Sequence, residues 1–190
     1  MTNIYFVRHA QPNYDNHDDM TRELTEKGLR DRKLVTAYLA DKDIHAVLSS
    51  PFKRSVDTVK EFADRAGLPI TTVDNFRERK IDSCWIEDFT AFAKQQWADF
   101  SYKLSDGECL GEVQRRNITA LNHVLATHPD QNIVIGSHGT ALSTVINYFD
   151  PTFGYSNFEA IRGLMPWVVK FTFDDNQCTE IETIDLFSLQ

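Results

Sequence analysis

Two short apolar runs in this chain each break off at a histidine. Ile4-Tyr5-Phe6-Val7 stops at Arg8-His9, and Asn132-Ile133-Val134-Ile135-Gly136 stops at Ser137-His138. Each run reads as a buried strand that ends at a polar edge. Between them lie segments of helical period. From Leu24 to Leu39 apolar residues fall at 24, 29, 34, 35, 38 and 39, with Thr25 as N-cap and Glu26 in the first turn. Ile44 to Leu48 is a second buried strand. Ser50-Pro51 then opens a helix with proline at the first helical position. Its apolar face is Phe52, Val56, Val59, Phe62 and Ala63, and Gly67 ends it. Leu68 to Val73 gives a third strand. A long helix is predicted from about Glu108 to His128, and another from Thr140 to about Phe149.

Trp167 to Phe173 and Cys178 to Leu186 are β-rich and form a hairpin around Asp174-Asp175-Asn176-Gln177. Strands alternating with helices predict an α/β fold, a three-layer sandwich with a mostly parallel central sheet flanked by helices. In such sheets a site lies beyond the carboxyl ends of the strands, near a topological switch. A chain of 190 residues is expected to form one domain over 1–190. Residues 80–105 stand apart as a mostly helical insertion carrying Trp85, Phe89, Phe92, Trp97, Phe100 and Tyr102. They read first as a cap packed on the core. The alternative is that their aromatic rings line the site mouth and select the substrate.

The formal net charge is −8, with 20 Lys and Arg against 28 Asp and Glu. That balance excludes a general nucleic-acid or anionic-membrane binder, which carries a basic face, but leaves room for a local basic pocket. Cys84, Cys109 and Cys178 are odd in number and lack metal-ligand spacing, so they read as reduced thiols of a cytoplasmic chain. No signal peptide or apolar run of about 18 residues occurs. Nothing in the sequence assigns an oligomeric state.

Taken alone, a histidine at a strand end is usually structural, Arg54 a solvated helix charge, and Glu78 in Arg77-Glu78-Arg79 a surface ion-pair partner. Convergence changes that reading. Arg8 and His9 leave one strand, His138 leaves another, and Arg54 lies in the first turns after a third. Two arginines and two histidines at one rim of an acidic chain make a pocket for a dianionic oxyanion, and phosphate is the obvious one. His45, His123 and His128 are assigned to structure or surface.

These residues resemble the histidine phosphatase superfamily, the phosphoglycerate mutase-like fold. Arg8-His9-Ala10 is similar to its Arg-His-Gly signature. Leu24-Thr25-Glu26-Lys27-Gly28 resembles its Leu-Thr-x-x-Gly helix entry. Ser50-Pro51-Phe52-Lys53-Arg54 through Thr58 resembles its Ser-x-x-x-Arg-x-x-x-Thr segment. Phe76-Arg77-Glu78 looks like its Leu-Arg-Glu, Asp106-Gly107-Glu108 like its Asp-Gly-Glu block, and Ser137-His138-Gly139 like its second histidine motif. The six motifs keep the family's order from residue 4 to about 145.

The resemblance implies that His9 accepts the phosphoryl group, that Arg8, Arg54 and His138 hold its oxygens, and that Glu78 protonates the leaving oxygen. It implies no metal and no cofactor, and a small phosphorylated metabolite as substrate. Hydrolysis is expected over a mutase reaction, because the family's mutases are longer and close a lid over the intermediate. A non-catalytic phosphate-binding module would need neither a nucleophile nor an acid. Three departures stand out. Ala10 replaces the usual glycine, which requires a backbone without positive φ or tolerance of a methyl near phosphate. Asp31 replaces a frequent glutamine. Where the family often has asparagine this chain has Asp15, flanked by Asn13 and Asn16, and the sequence does not say which of the three touches phosphate.

Overall fold

The computed structural model describes residues 1–189. Strand β1 (Thr2–Arg8) is followed by α1 (Glu26–Leu39), β2 (Ala46–Ser49), α2 (Lys53–Ala66) and β3 (Ile70–Thr72). A single 3-10 turn at Asp74–Phe76 and helix α3 (Phe89–Ala98) come next. Then follow α4 (Leu110–Thr127), β4 (Asn132–Ser137), α5 (Gly139–Phe149), α6 (Tyr155–Ile161), β5 (Trp167–Asp174) and β6 (Gln177–Ile184). The six strands form one sheet in the order β3-β2-β4-β1-β5-β6. Its first four strands are parallel, and β5 and β6 are added antiparallel at one side.

Side chains alternate across this sheet, as the pleat requires. Ile4 and Phe6 enter a core with Phe76, Leu121, Ile133, Ile135 and Phe171. Tyr5 and Val7 enter a second core with Val35, Leu39, Val47, Val59 and Val134. Helices α1 and α2 cover the second face, and α3 to α6 supply the first. The result is the three-layer sandwich the strand pattern implies. Removing a ring such as Phe6 or Phe171, both wholly buried, costs about 3–5 kcal/mol.

The chain leaves β1, builds β2 and β3 outward, and returns to place β4 between β2 and β1. The carboxyl ends of β1, β2 and β4 therefore share one rim. The pairing register sets Arg8 opposite Ser137 and Ser49 opposite Gly136. The ladder runs one residue further through His9 N–H to the Ser137 carbonyl (3.1 Å) and Ser50 N–H to the Gly136 carbonyl (2.9 Å).

Several local expectations hold. The Thr25 hydroxyl accepts the Gly28 N–H at 3.0 Å and caps α1. Gly67 closes α2 in the left-handed conformation at φ 68°. Asp175 and Asn176, with φ of 45° and 65°, make the two-residue turn of the β5–β6 hairpin. Two expectations need correction. Helix α2 begins at Lys53 and not at Pro51. Pro51 lies in the connection, where the Ser50 hydroxyl accepts the Phe52 N–H. Residues 80–105 are helical only over Phe89–Ala98. The preceding 80–88 loop and the 99–109 return are irregular, and helix α6 has no clear sequence signal.

Candidate active site

His9 follows β1 directly and is buried. Its Nδ1 lies 2.8 Å from the Ala10 carbonyl. A carbonyl only accepts, so Nδ1 carries the proton and the lone pair stays on Nε2. Burial first, and then the guanidiniums of Arg54 and Arg8, push the imidazole well below the usual histidine range. His9 is therefore neutral with one free nucleophilic nitrogen. Ala10 is not among the residues with positive φ, and its N–H donates to Thr58 Oγ1 at 2.9 Å. An ordinary backbone conformation is why alanine serves where a glycine is usual.

His138 follows β4 and is wholly buried beside His9, with ring centroids 5.3 Å apart. Burial, with Arg54 next, also holds it neutral. Its Nε2 lies 2.7 Å from Ser50 Oγ. Ser50 Oγ accepts the Phe52 N–H and keeps both its proton and one lone pair, so it pairs with Nε2 in either tautomer. When it donates to Nε2, the ring proton is on Nδ1, which is buried and has no protein partner. In that tautomer Nδ1–H of His138 is a free donor. The sequence singled out Ser50 only as part of a motif.

Arg54, in the first turn of α2, is 2% exposed. Its Nη1 donates to the Asp19 carbonyl at 2.8 Å, and its Nη2 meets Asp19 Oδ1 at 3.2 Å. Arg8 differs from the expectation in its immediate contacts. Its two terminal nitrogens donate to carbonyls at the end of α6 and just beyond it: Ile161 (2.7 Å), Leu164 (3.2 Å) and Arg162 (3.1 Å). Only Nε remains buried without a partner. The guanidinium also lies across Gly139, where a Cβ would stand 3.0 Å from it. This close approach accounts for the glycine of Ser137-His138-Gly139.

Glu78 reaches the same rim from the loop after the 3-10 turn. Its Oε1 accepts N–H groups from Arg79 (2.7 Å) and Ala141 (3.0 Å), and its Oε2 accepts that of Thr140 (3.0 Å). Thr140 and Ala141 open α5, whose own cap residue His138 offers no side-chain acceptor. Glu78 therefore caps α5 from a distant part of the chain, at the positive end of the helix dipole. Arg116 of α4 holds this loop. It donates to the carbonyls of Asn75, Arg77 and Glu78 and forms a bidentate pair with Glu108 (2.8 and 2.9 Å). Glu108 is thus a support for the loop and not a free acid. Glu112 is bound by Lys103 and the Cys109 N–H and is lowered to about 2.

The 11–23 loop satisfies itself. Asn13 and Asn16 both donate to Glu23 (2.6 and 3.0 Å), which lowers Glu23 to about 2. Asp15 is exposed, and its N–H turns back to Asn13. The loop does bring Arg22 into the site, a residue the motif reading passed over. Arg22 is 7% exposed and meets Asp19 Oδ1 at 3.0 Å. Its guanidinium faces the rings of Tyr14 and Trp85 at 5.8 and 6.0 Å.

Residues 80–105 divide between the core and the surface. Phe92 and Trp97 are buried in the core, while the half-exposed Trp85 stacks on His17 at 4.1 Å beside the pocket. His45 and His123 are exposed, and His128 ends α4. The three cysteines are free thiols. No group of three or more His, Cys, Asp or Glu suited to a metal occurs among the described residues. Among those residues no helix is long and apolar enough to cross a membrane.

The sequence profile of the histidine phosphatase superfamily (branch 1) matches residues 4–185. The chain belongs to the histidine phosphatase superfamily. The relatives of this family member include a protein named probable phosphoglycerate mutase GpmB in Yersinia pestis. The two are 27% identical over 165 residues, which is 77% of this chain and 74% of the relative. Solved histidine phosphatase folds superimpose over nearly the whole chain. YhfR of Bacillus stearothermophilus has a TM-score of 0.76 at 19% identity and covers 94% of both chains. The mycobacterial glucosyl-3-phosphoglycerate phosphatase gives 0.73 at 18%, covering 95% of this chain and 96% of its own. The phosphoserine phosphatase of Entamoeba histolytica gives 0.75 at 17%, with the same coverage.

Proposed function

We propose that this protein is a cytoplasmic, metal-independent phosphomonoesterase that hydrolyses a small phosphorylated metabolite through a phosphohistidine on His9. The observation that carries the reading is the Nδ1–H of His9 on the Ala10 carbonyl, which leaves Nε2 as a neutral nucleophile beside buried arginines. The lone pair of Nε2 forms a bond to phosphorus as the bond from phosphorus to the ester oxygen breaks. Charge on the non-bridging oxygens is met by Arg54, Nε of Arg8 and Nδ1–H of His138. Glu78 supplies the proton that the departing alkoxide takes. Both lone pairs of Oε1 are engaged, so the mobile proton belongs on Oε2, which accepts a single N–H. Water then attacks phosphorus and returns its proton to Glu78. Orthophosphate leaves, and His9 regains its lone pair.

A mutase of the phosphoglycerate type is the second reading, favoured by the name of the Yersinia relatives. Hydrolysis is supported by the half-exposed Tyr14, Trp85 and Asp19 around the pocket, which leave water a path to the phosphoryl group. Incubation with 3-phosphoglycerate distinguishes the two. A hydrolase releases orthophosphate with negligible 2-phosphoglycerate, whereas isomerisation faster than release would establish the mutase.

Rapid acid-free quench and mass analysis should find phosphate on the peptide carrying His9, stable in base and labile in acid. Phosphate on another residue, or normal turnover by His9→Ala, would overturn the mechanism. Vanadate should inhibit and EDTA should not. Loss of activity in EDTA that zinc or magnesium restores would instead indicate a metallohydrolase.

A further inference from the structure

Asp19 has an unusual position in this pocket. Its Oδ1 receives Arg22 Nη1 at 3.0 Å and Arg54 Nη2 at 3.2 Å, so one carboxylate oxygen joins two guanidiniums. The exposure of the three side chains is unequal. Asp19 is 47% exposed, against 8% for Arg22 and 3% for Arg54. The carboxylate can turn into water at small cost, but the two cations cannot follow it, since an unpaired buried charge is strongly unfavourable. Each cation is also held independently of that carboxylate. Arg22 Nε donates to the Asn16 carbonyl at 2.7 Å, and its guanidinium faces two aromatic rings. Arg54 Nη1 donates to the main chain of Asp19. Two buried guanidiniums against one carboxylate leave an excess positive charge, which a dianion would balance.

We propose that Asp19 Oδ1 stands where an oxygen of the substrate's phosphoryl group binds, that substrate displaces it, and that Arg22 then becomes a direct phosphoryl ligand beside Arg54. The inference rests on the phosphatase reading and deepens it. The 11–23 loop then contributes to recognition through Arg22, because its asparagines are spent on Glu23. Asp19 competes with every anion that enters. Exchange of one carboxylate for one phosphoryl oxygen conserves the charge-assisted hydrogen bond of Arg22 and the ion pair of Arg54 and adds the second charge of the dianion.

The test is direct binding of orthophosphate by isothermal titration calorimetry at fixed pH and ionic strength, with KM and kcat measured alongside. Asp19→Asn removes the competing charge and keeps the shape. We expect it to bind orthophosphate about tenfold more tightly, the scale of one hydrogen bond to a charged group. Arg22→Gln should bind about tenfold more weakly, and Arg22→Lys should fall between it and the parent. In the double variant the gain from Asp19→Asn should shrink, because the two side chains share one oxygen position.

Circular dichroism and thermal melts establish that each variant is folded, and Asp19→Ser replaces Asp19→Asn if that variant is not. Asp19→Asn binding no tighter than the parent, or Arg22→Gln binding equally well, would overturn the proposal while parental phosphatase activity stands. A parent protein that neither binds orthophosphate nor releases it from any phosphate ester would overturn the phosphatase reading and this inference with it.

Discussion

Glu78 illustrates how single atoms divide the chemistry. Three N–H groups fix the carboxylate and leave one oxygen freer than the other. If Glu78 delivers a proton to the leaving oxygen, its value depends on how much that oxygen needs one. p-Nitrophenolate needs little and an alkoxide needs much. Glu78→Gln should therefore slow alkyl phosphates far more than p-nitrophenyl phosphate, and equal losses on both would assign Glu78 another role. Ser50 acts one step away, through His138. Ser50→Ala leaves a buried imidazole nitrogen without its donor and lets the ring proton settle on either nitrogen. We expect kcat/KM to fall about tenfold, near the worth of one hydrogen bond, with recovery in Ser50→Thr. Nitrogen chemical shifts of His138 should show mixed tautomers in the alanine variant and one in the parent.

Elements contribute by holding loops that have no regular structure of their own. The segment that carries Glu78 is short and irregular, and α4 positions it through the clamp of Arg116 on three carbonyls. Arg116→Met would leave those carbonyls and the Glu108 carboxylate without their partner. The expected loss is roughly 3 kcal/mol of stability by urea unfolding, the cost of breaking a largely buried ion pair. It should come with the same leaving-group bias as Glu78→Gln. An unbiased loss of activity would separate Arg116 from the acid step. At this scale local signals are uneven. Thr25 and Gly67 mark helix ends through local chemistry and are legible. Pro51 does not fix the start of α2, because a proline suits both a first turn and the connection before it. The aromatic segment carries a helical pattern beyond Phe89–Ala98 because aromatic spacing does not distinguish a helix from a loop that packs rings.

At the scale of the whole molecule, folding buries His9 and His138 as neutral rings beside cations. Arg54, Arg8 and Arg22 face His9, and Arg54, His9, Arg116 and Arg8 act on His138. Both folded-state values lie below the unfolded value of 6.5. Below that pH the unfolded chain takes up protons that the folded chain does not, so stability falls as pH falls and levels off above about 6.5. Each histidine contributes a slope of up to about 1.4 kcal/mol per pH unit well below its unfolded value. Urea unfolding at pH 7.5 and 5.5 should show the decline, and His138→Gln should reduce it. An unchanged slope in that variant would remove His138 from the account. The same depression keeps the Nε2 lone pair of His9 free in mild acid, so a fall in kcat/KM just below pH 6.5 would not come from His9.

The sequence by itself determined the alternation of strands and helices along most of the chain, the helix ends at Thr25 and Gly67, and the hairpin. These follow from period, turn chemistry and strand ends, all of which are local. It determined that His9, His138, Arg54 and Glu78 belong together only through the order of their motifs. Tertiary structure decided what each of them touches. Glu78 became the cap of a helix that begins 61 residues later at Gly139. Arg8 was turned toward carbonyls at the end of α6 and just beyond it, and Ser50 was set against His138. Arg22, in a polar loop with no motif, was drawn into the pocket because Asp19 and two aromatic rings neutralise and cover it. Such contacts join residues far apart in the chain. Their partners are chosen by the return of β4 between β2 and β1, which no local pattern encodes.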